Sequence, residues 1–291
     1  MNATITNPLP GLHSVPYEVY RAWNAVNAST LKHALKSWAH FEYERTAPPT
    51  ETDALRLGRA FHLALLEPER AASLIVAQPT FDRRTKQGKA DAEAFAATIR
   101  EDAIVLDDDE RADIAAWRAA IMANADARLL LTKAGGVNEQ SILWCDTASG
   151  IECKGRIDRL LESRNARFVI DIKTAADASP KKFAADAIKF GYDVQAAHYA
   201  DGIRTLYADS KPVDSVWIVV EKAAPHAVMV YRASEPECQP DLMAFGQSRR
   251  AKLLRELKVC REKNEWPGYG KGILPLRVPA WEASKMEVSD E

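Results

Sequence analysis

Gly155-Arg156-Ile157-Asp158-Arg159-Leu160-Leu161, followed by Phe168-Val169-Ile170-Asp171-Ile172-Lys173-Thr174, is the stretch on which the reading of this chain turns. Two apolar runs, 157–161 and 168–172, flank the polar segment 162–167, which is the pattern of two short strands joined by a turn. Side chains alternate along a strand, so Asp171 and Lys173 share one face and Ile172 takes the other. Asp158 precedes Asp171 by 171 − 158 = 13 residues and, on the neighbouring strand, reaches the same region. Two carboxylates and an ammonium converging on a sheet suit metal-assisted hydrolysis of a phosphodiester. Carboxylates hold hard cations through oxygen, and a lysine orients water and neutralises developing charge. The tripeptide Asp-x-Lys alone reads equally well as a charged surface hairpin, so its surroundings decide.

Working outward, 139–146 and 151–161 read as a hairpin closed by the turn 147–150, with Gly135-Gly136 leading into it. Ser179-Pro180 starts a helix with proline in the first turn. Helices are expected at 180–190 and 193–208, strands at 213–221 and 227–232, and a long amphipathic helix at 240–264. Upstream, helices are expected at 30–45 and 52–66, each ended by prolines. Residues 79–91 read as a basic loop, and 90–132 as an alanine-rich helical stretch interrupted near the acidic run 107–110. The order of elements gives an α/β fold, a central mixed β-sheet flanked by helices with an N-terminal helical extension. Domain boundaries are expected at 1–26 for an extended N-terminal arm, 27–281 for a single catalytic domain and 282–291 for an acidic tail. Within the domain, 27–134 is mainly helical, 135–264 is the core and 265–281 is coil.

At 291 residues, 47% hydrophobic and 27% charged, the composition is that of an ordinary globular protein. The net charge of −2 advertises no global polycation, so any nucleic-acid contact must come from local basic clusters. No apolar run reaches the length of a membrane span, and the first residues lack the pattern of a signal peptide, so a cytoplasmic protein is expected.

Further residues acquire meaning only in combination. His62, among Phe61, Leu65 and Leu66, reads by itself as a packed core histidine; beside the aspartates it becomes a metal ligand. Gln195 and Tyr199 lie one turn apart on a helix face and suit either a site or an ordinary amphipathic surface. Arg83, Arg84, Lys86 and Lys89 suit phosphate contact or a solvated loop. Arg156 flanks Asp158, and Ser29 opens a helix where an anion or a simple cap is served equally.

Taken in order, Gly58-x-x-x-His62, Glu139, Gly155-Arg156-Ile157-Asp158, Asp171-Ile172-Lys173 and Gln195-x-x-x-Tyr199 resemble the PD-(D/E)xK nuclease superfamily. Residues 27–31, 37–41 and 83–85 add likeness to its RecE-type phage exonuclease branch (exonuclease VIII), itself related to the RecB-family nuclease domain. The resemblance spans roughly 25–280. Two departures are chemically equivalent: Ile157 stands where the pattern has proline, and Asp171 where glutamate is common.

The resemblance implies that Asp158 and Asp171 bind metal, with His62, the backbone carbonyl of Ile172 and, depending on the strand register, Glu139 as further ligands. Lys173 would position water, Gln195 and Tyr199 would support the site, and Ser29, with Arg21, would lie near the 5′-phosphate end. Mg²⁺ is the implied cofactor, with Mn²⁺ as substitute. Some related nucleases carry a four-cysteine iron–sulfur cluster; Cys145, Cys153, Cys238 and Cys260 do not follow its spacing, so no cluster is expected. The implied activity is an exodeoxyribonuclease that digests linear double-stranded DNA from 5′ to 3′ and leaves 3′ single strands for recombination. Implied partners are further copies in a ring (trimer or tetramer) and a single-strand annealing protein. Rival readings are a single-strand exonuclease, an endonuclease, and a DNA-binding or assembly protein without catalysis.

Overall fold

The computed structural model describes residues 7–48, 50–238 and 240–279; the expected acidic tail lies outside them. Its first half runs β1 (Gly11–His13), α1 (Tyr17–Ala22), α2 (Ala28–Leu31), a 3₁₀ turn (Lys32–Leu35), α3 (Trp38–Thr46), α4 (Asp53–Leu66), α5 (Pro68–Leu74), β2 (Ile75–Ala77), α6 (Lys86–Thr98), β3 (Ile104–Leu106), α7 (Asp108–Ala123) and α8 (Ala125–Thr132). The second half is β4 (Gly136–Cys145), β5 (Glu152–Glu162), β6 (Arg167–Ala175), α9 (Pro180–Phe190), α10 (Tyr192–Tyr207), β7 (Val213–Glu221), β8 (Val228–Arg232) and α11 (Leu242–Lys263).

Six strands form one sheet in the order β1-β4-β5-β6-β7-β8, and β2 pairs with β3 separately. Only β6 and β7 run parallel in the main sheet; α9 and α10 supply the long connection that a parallel pair needs. Alternating strand residues feed two apolar layers. On one face Ile142, Trp144, Ile157, Val169 and Trp217 pack with α2, α3, α9, α10 and α11. On the other, Leu161, Ile170, Ile172, Val216, Ile218 and Val220 pack with α4, α5, α7 and α8. The mixed sheet flanked by helices is the expected α/β architecture.

Several local expectations need correction. The N-terminal arm is not simply extended: it holds α1, β1 pairs with β4, Tyr20 and Trp23 are buried, and Lys154 donates to the carbonyls of Tyr20, Arg21 and Trp23 at 3.2, 2.9 and 2.6 Å. The helix expected over 30–45 is broken by Ser37, whose side chain caps a new helix at His40 N–H. The basic loop is half helix. Thr85 accepts from Gly88 N–H as the cap of α6, so Lys86 and Lys89 stand on that helix. The acidic run is a helix start, in which Asp107 and Glu110 form a reciprocal capping box.

Candidate active site

The site lies where two strands part. The β5–β6 ladder runs from Glu162↔Arg167 to Arg159↔Ile170 and ends there. Beyond that point the next amide of β6, Ile172 N–H, donates instead to Asp158 Oδ2 at 2.8 Å. Ile170 and Ile172 face the α4 layer and Val169 the α10 layer, so alternation turns Asp171 and Lys173 toward α10. Asp158 has its neighbour on the opposite side, His62 of α4.

His62 bridges the gap. Its Nε2 lies 3.1 Å from Ile172 O and its Nδ1 3.4 Å from Asp158 Oδ1. Both neighbours are acceptors, so both ring nitrogens donate and the imidazole is protonated in this arrangement. Burial works against that charge, but the adjacent Asp158 carboxylate outweighs it and lifts the histidine from 6.5 to about 9. Burial pushes Asp158 upward, yet His62, Lys173 and the Ile172 amide together bring it below the ordinary carboxylate value.

Asp171 is buried, and burial raises its pKa against the pull of Lys173. Its Oδ1 accepts from Gln195 Nε2 at 3.1 Å, and its Oδ2 forms an ion pair with Lys173 Nζ while accepting no well-formed hydrogen bond. For Lys173, burial is offset by Asp171 and Asp158, which hold the ammonium charged. Tyr199 stands behind Gln195, its Oη 3.5 Å from Gln195 Nε2. Burial lifts its phenol to about 12, so it stays a neutral hydroxyl.

Glu139 completes the group. The β4–β5 register pairs Asn138 with Arg159 and Gln140 with Ile157, which sets Glu139 opposite Asp158. Its backbone is left-handed at φ 51°, a conformation uncommon for residues other than glycine. Burial and Asp158 raise its pKa, and Arg156 opposes them. Among the described residues, one set of His, Asp and Glu side chains brings ligand atoms within 4.8 Å of one another, and it is His62, Glu139 and Asp158. Asp171 adds an oxygen whose sole close cation is Lys173. Carboxylate oxygens, a backbone carbonyl and an imidazole are the donor set of a divalent cation, so these residues fit one, provided that His62 gives up a proton as the ion binds.

The other expected contacts separate into three cases. Arg156 borders the opening at the site but has its guanidinium engaged by the protein: Nε donates to Glu139 at 2.7 Å, and Nη1 to Val15 O and Ser141 Oγ at 2.9 and 3.0 Å. Ser29 is exposed on the wall of a groove of about 1920 Å³ that also holds the catalytic candidates. It is not the helix cap, since Asn27 accepts from Thr30 N–H in that role. Arg83, Arg84, Lys86 and Lys89 are exposed but do not line this groove, and Arg84 is paired with Asp82. The groove instead gathers Arg21, Lys32, Arg45, Arg59, Arg70 and Arg261. Apart from Arg21 these were missed, because they come singly from separate elements and no basic run marks them.

An α/β/α sandwich with carboxylates at a parting of two strands is the PDDEXK-like arrangement, and the sequence agrees. Residues 20–274 match the family described as "PDDEXK-like domain of unknown function (DUF3799)", and the chain belongs to it. No curated protein matches the chain in sequence. Among solved structures it is similar to a "Putative exonuclease" from Eubacterium rectale, at 12% identity and a TM-score of 0.55, covering 94% of this chain and 98% of that one. It is also aligned with the structure named SSO0001, at 17% identity over 78% and 84% of the two chains, with a TM-score of 0.30 that supports no argument about fold.

Proposed function

We propose that this protein is a Mg²⁺-dependent exodeoxyribonuclease that degrades linear double-stranded DNA from the 5′ end. The observation that carries the reading is the meeting of Asp158, Asp171, Lys173 and His62 in one groove, within a PDDEXK-like fold. Asp158, Asp171, His62 and Ile172 O, with Glu139 beside them, would hold Mg²⁺ or Mn²⁺, which supplies an acidified water and neutralises phosphate charge. The chain's own residues do the rest. Lys173 orients the attacking water and offsets charge on the phosphate. Gln195 fixes the Asp171 carboxylate, and Tyr199 fixes Gln195. Arginines along the groove hold the strand by its phosphates without reading sequence. The 5′ to 3′ direction, assembly of three or four copies into a ring and a single-strand annealing partner belong to the same reading, supported by the resemblance to the RecE-type branch.

The test is incubation with Mg²⁺ of end-labelled linear duplex, bearing 5′-phosphate or 5′-hydroxyl, beside a covalently closed circle. Loss of linear duplex from its 5′ end, absent with chelator and about 10²- to 10³-fold slower for Lys173→Ala, is the expected result. Cutting of the circle would make the protein an endonuclease. Equal activity of Lys173→Ala would remove the assigned site, and no metal-dependent loss of any DNA would leave a DNA-binding protein.

A further inference from the structure

Lys173 has a second neighbour that the site as described does not use. Its Nζ lies 5.0 Å from the centroid of the Tyr192 ring, over the ring face. Tyr192 is the first residue of α10, one turn before Gln195. The backbone delivers it there directly. Gly191, between α9 and α10, is left-handed at φ +71°, and a Cβ on it would stand 3.1 Å from Leu35 Cδ1 and from Lys32 Cβ. A side chain there would be both crowded and strained, and the tight turn starts α10 close to the Lys32 stem. The rings of Phe183 and Phe190, centred 6.1 and 5.8 Å from that of Tyr192, hold it from two sides.

The ammonium needs such a restraint. A cation tied to one carboxylate swings about that contact, and here it has somewhere to go. A cavity of about 240 Å³, lined by Ala28, Ser29, Lys32, Lys173, Tyr192 and Gln195, opens beside it. We propose that Tyr192 is a positioning residue for Lys173, its electron-rich ring face holding the ammonium beside the Asp171 carboxylate. The inference rests on the reading of Lys173 as the group that orients the attacking water. A filler of the core between α9 and the sheet would serve by shape alone, whereas a positioning ring acts through its electrons, and the two separate experimentally.

The experiment places Phe, a series of increasingly fluorinated phenylalanines, and Leu at position 192 of the full chain. It reads kcat and KM on end-labelled linear duplex with Mg²⁺, duplex binding without metal, and thermal unfolding. A readout independent of activity is the ring-current shift of the Lys173 ε-methylene protons, assigned by its loss in Lys173→Ala. Tyr192→Phe should keep the shifted signal and stay within about threefold of wild-type kcat. Fluorination should lower kcat stepwise by roughly 5- to 30-fold in all, the range for a desolvated cation–π contact, with KM, metal-free binding and unfolding unchanged. Tyr192→Leu should lose the signal. A kcat that is flat across the fluorinated series, or that falls only in step with unfolding temperature, would overturn the proposal, as would an unshifted methylene in the wild type. A shifted methylene in a protein that degrades no DNA would overturn both the nuclease reading and the positioning role, while leaving the contact itself intact.

Discussion

Gly155 lies on β5 three residues before Asp158, facing α10, and has no room for a methyl group. A Cβ there would stand 2.7 Å from both Cδ1 and Cε1 of Tyr199 and 3.2 Å from Ile142 Cγ1. Carbon atoms pack at about 3.5 Å or more, so Gly155→Ala must move ring and strand apart by about 3.5 − 2.7 = 0.8 Å. Tyr199 is only 6% exposed and cannot swing into solvent. Overpacking of this size costs about 1–3 kcal/mol. The displacement also travels: Tyr199 Oη is 3.5 Å from Gln195 Nε2, and Gln195 is 3.1 Å from Asp171. A shift near 1 Å at a reacting group costs up to about 10²-fold in rate, so kcat should fall by roughly 10- to 100-fold. Urea unfolding measures the first effect, as a lower midpoint at unchanged slope, and metal-dependent loss of linear duplex measures the second. In a Tyr199→Leu background the alanine should cost about 1 kcal/mol less, because the ring it strikes is gone. Stability within about 0.5 kcal/mol of wild type together with unchanged kcat would refute the reasoning, and so would strictly additive stability effects in the double mutant.

Arg250 is buried between Asp146 and Asp201, at 2.9 Å from each, and its Nε donates to His198 Nδ1; Arg250→Met should cost about 3 kcal/mol in urea unfolding, because Asp146 Oδ1 loses its buried cation while Asp201 keeps Arg204. In chelated protein the contact with Asp158 raises His62 from 6.5 to about 9, so its stabilisation is complete below pH 6.5 and fades as pH rises through about 9. His62→Gln should flatten that part of the stability–pH profile, and an unchanged profile would contradict the ion pair. Arg156→Gln should lower stability by about 3 kcal/mol, because Glu139 loses its cation, yet leave the salt dependence of duplex binding untouched. Arg261→Gln, on the groove wall, should instead reduce the slope of log K against log salt by about 0.9.

The strands around Asp158 and Asp171 were legible because alternation and turn composition are local properties. The same holds for α9 and β7, whose expected limits coincide with the observed ones. What the sequence hid depends on partners far along the chain. Nothing near residue 11 announces that β1 will cover the edge of β4, and the three carbonyls seated on Lys154 are visible only once α1 is folded against the sheet. The start of α6 was misread because its basic residues resemble a loop. The decisive signal was Thr85 with Gly88, a cap whose glycine is forced by Asp82 O, 2.2 Å from where a Cβ would lie. For the site, the spacing from Asp158 to Lys173 was enough to expect these side chains to meet, and they do. The left-handed turn at Glu139 and its clasp by Arg156 are tertiary facts that no motif encodes.

The parting of β5 from β6 makes the candidate site a joint. Asp158 meets its histidine from the layer that contains α4, whereas Asp171 and Lys173 look toward the layer that contains α10. A divalent ion held by these residues would act as a rivet, adding cohesion around the point where the strands part. Resistance to unfolding then becomes a gauge of ion occupancy by simple mass action, about 2.7 kcal/mol at an ion concentration a hundredfold above Kd. That gauge needs no turnover and no DNA.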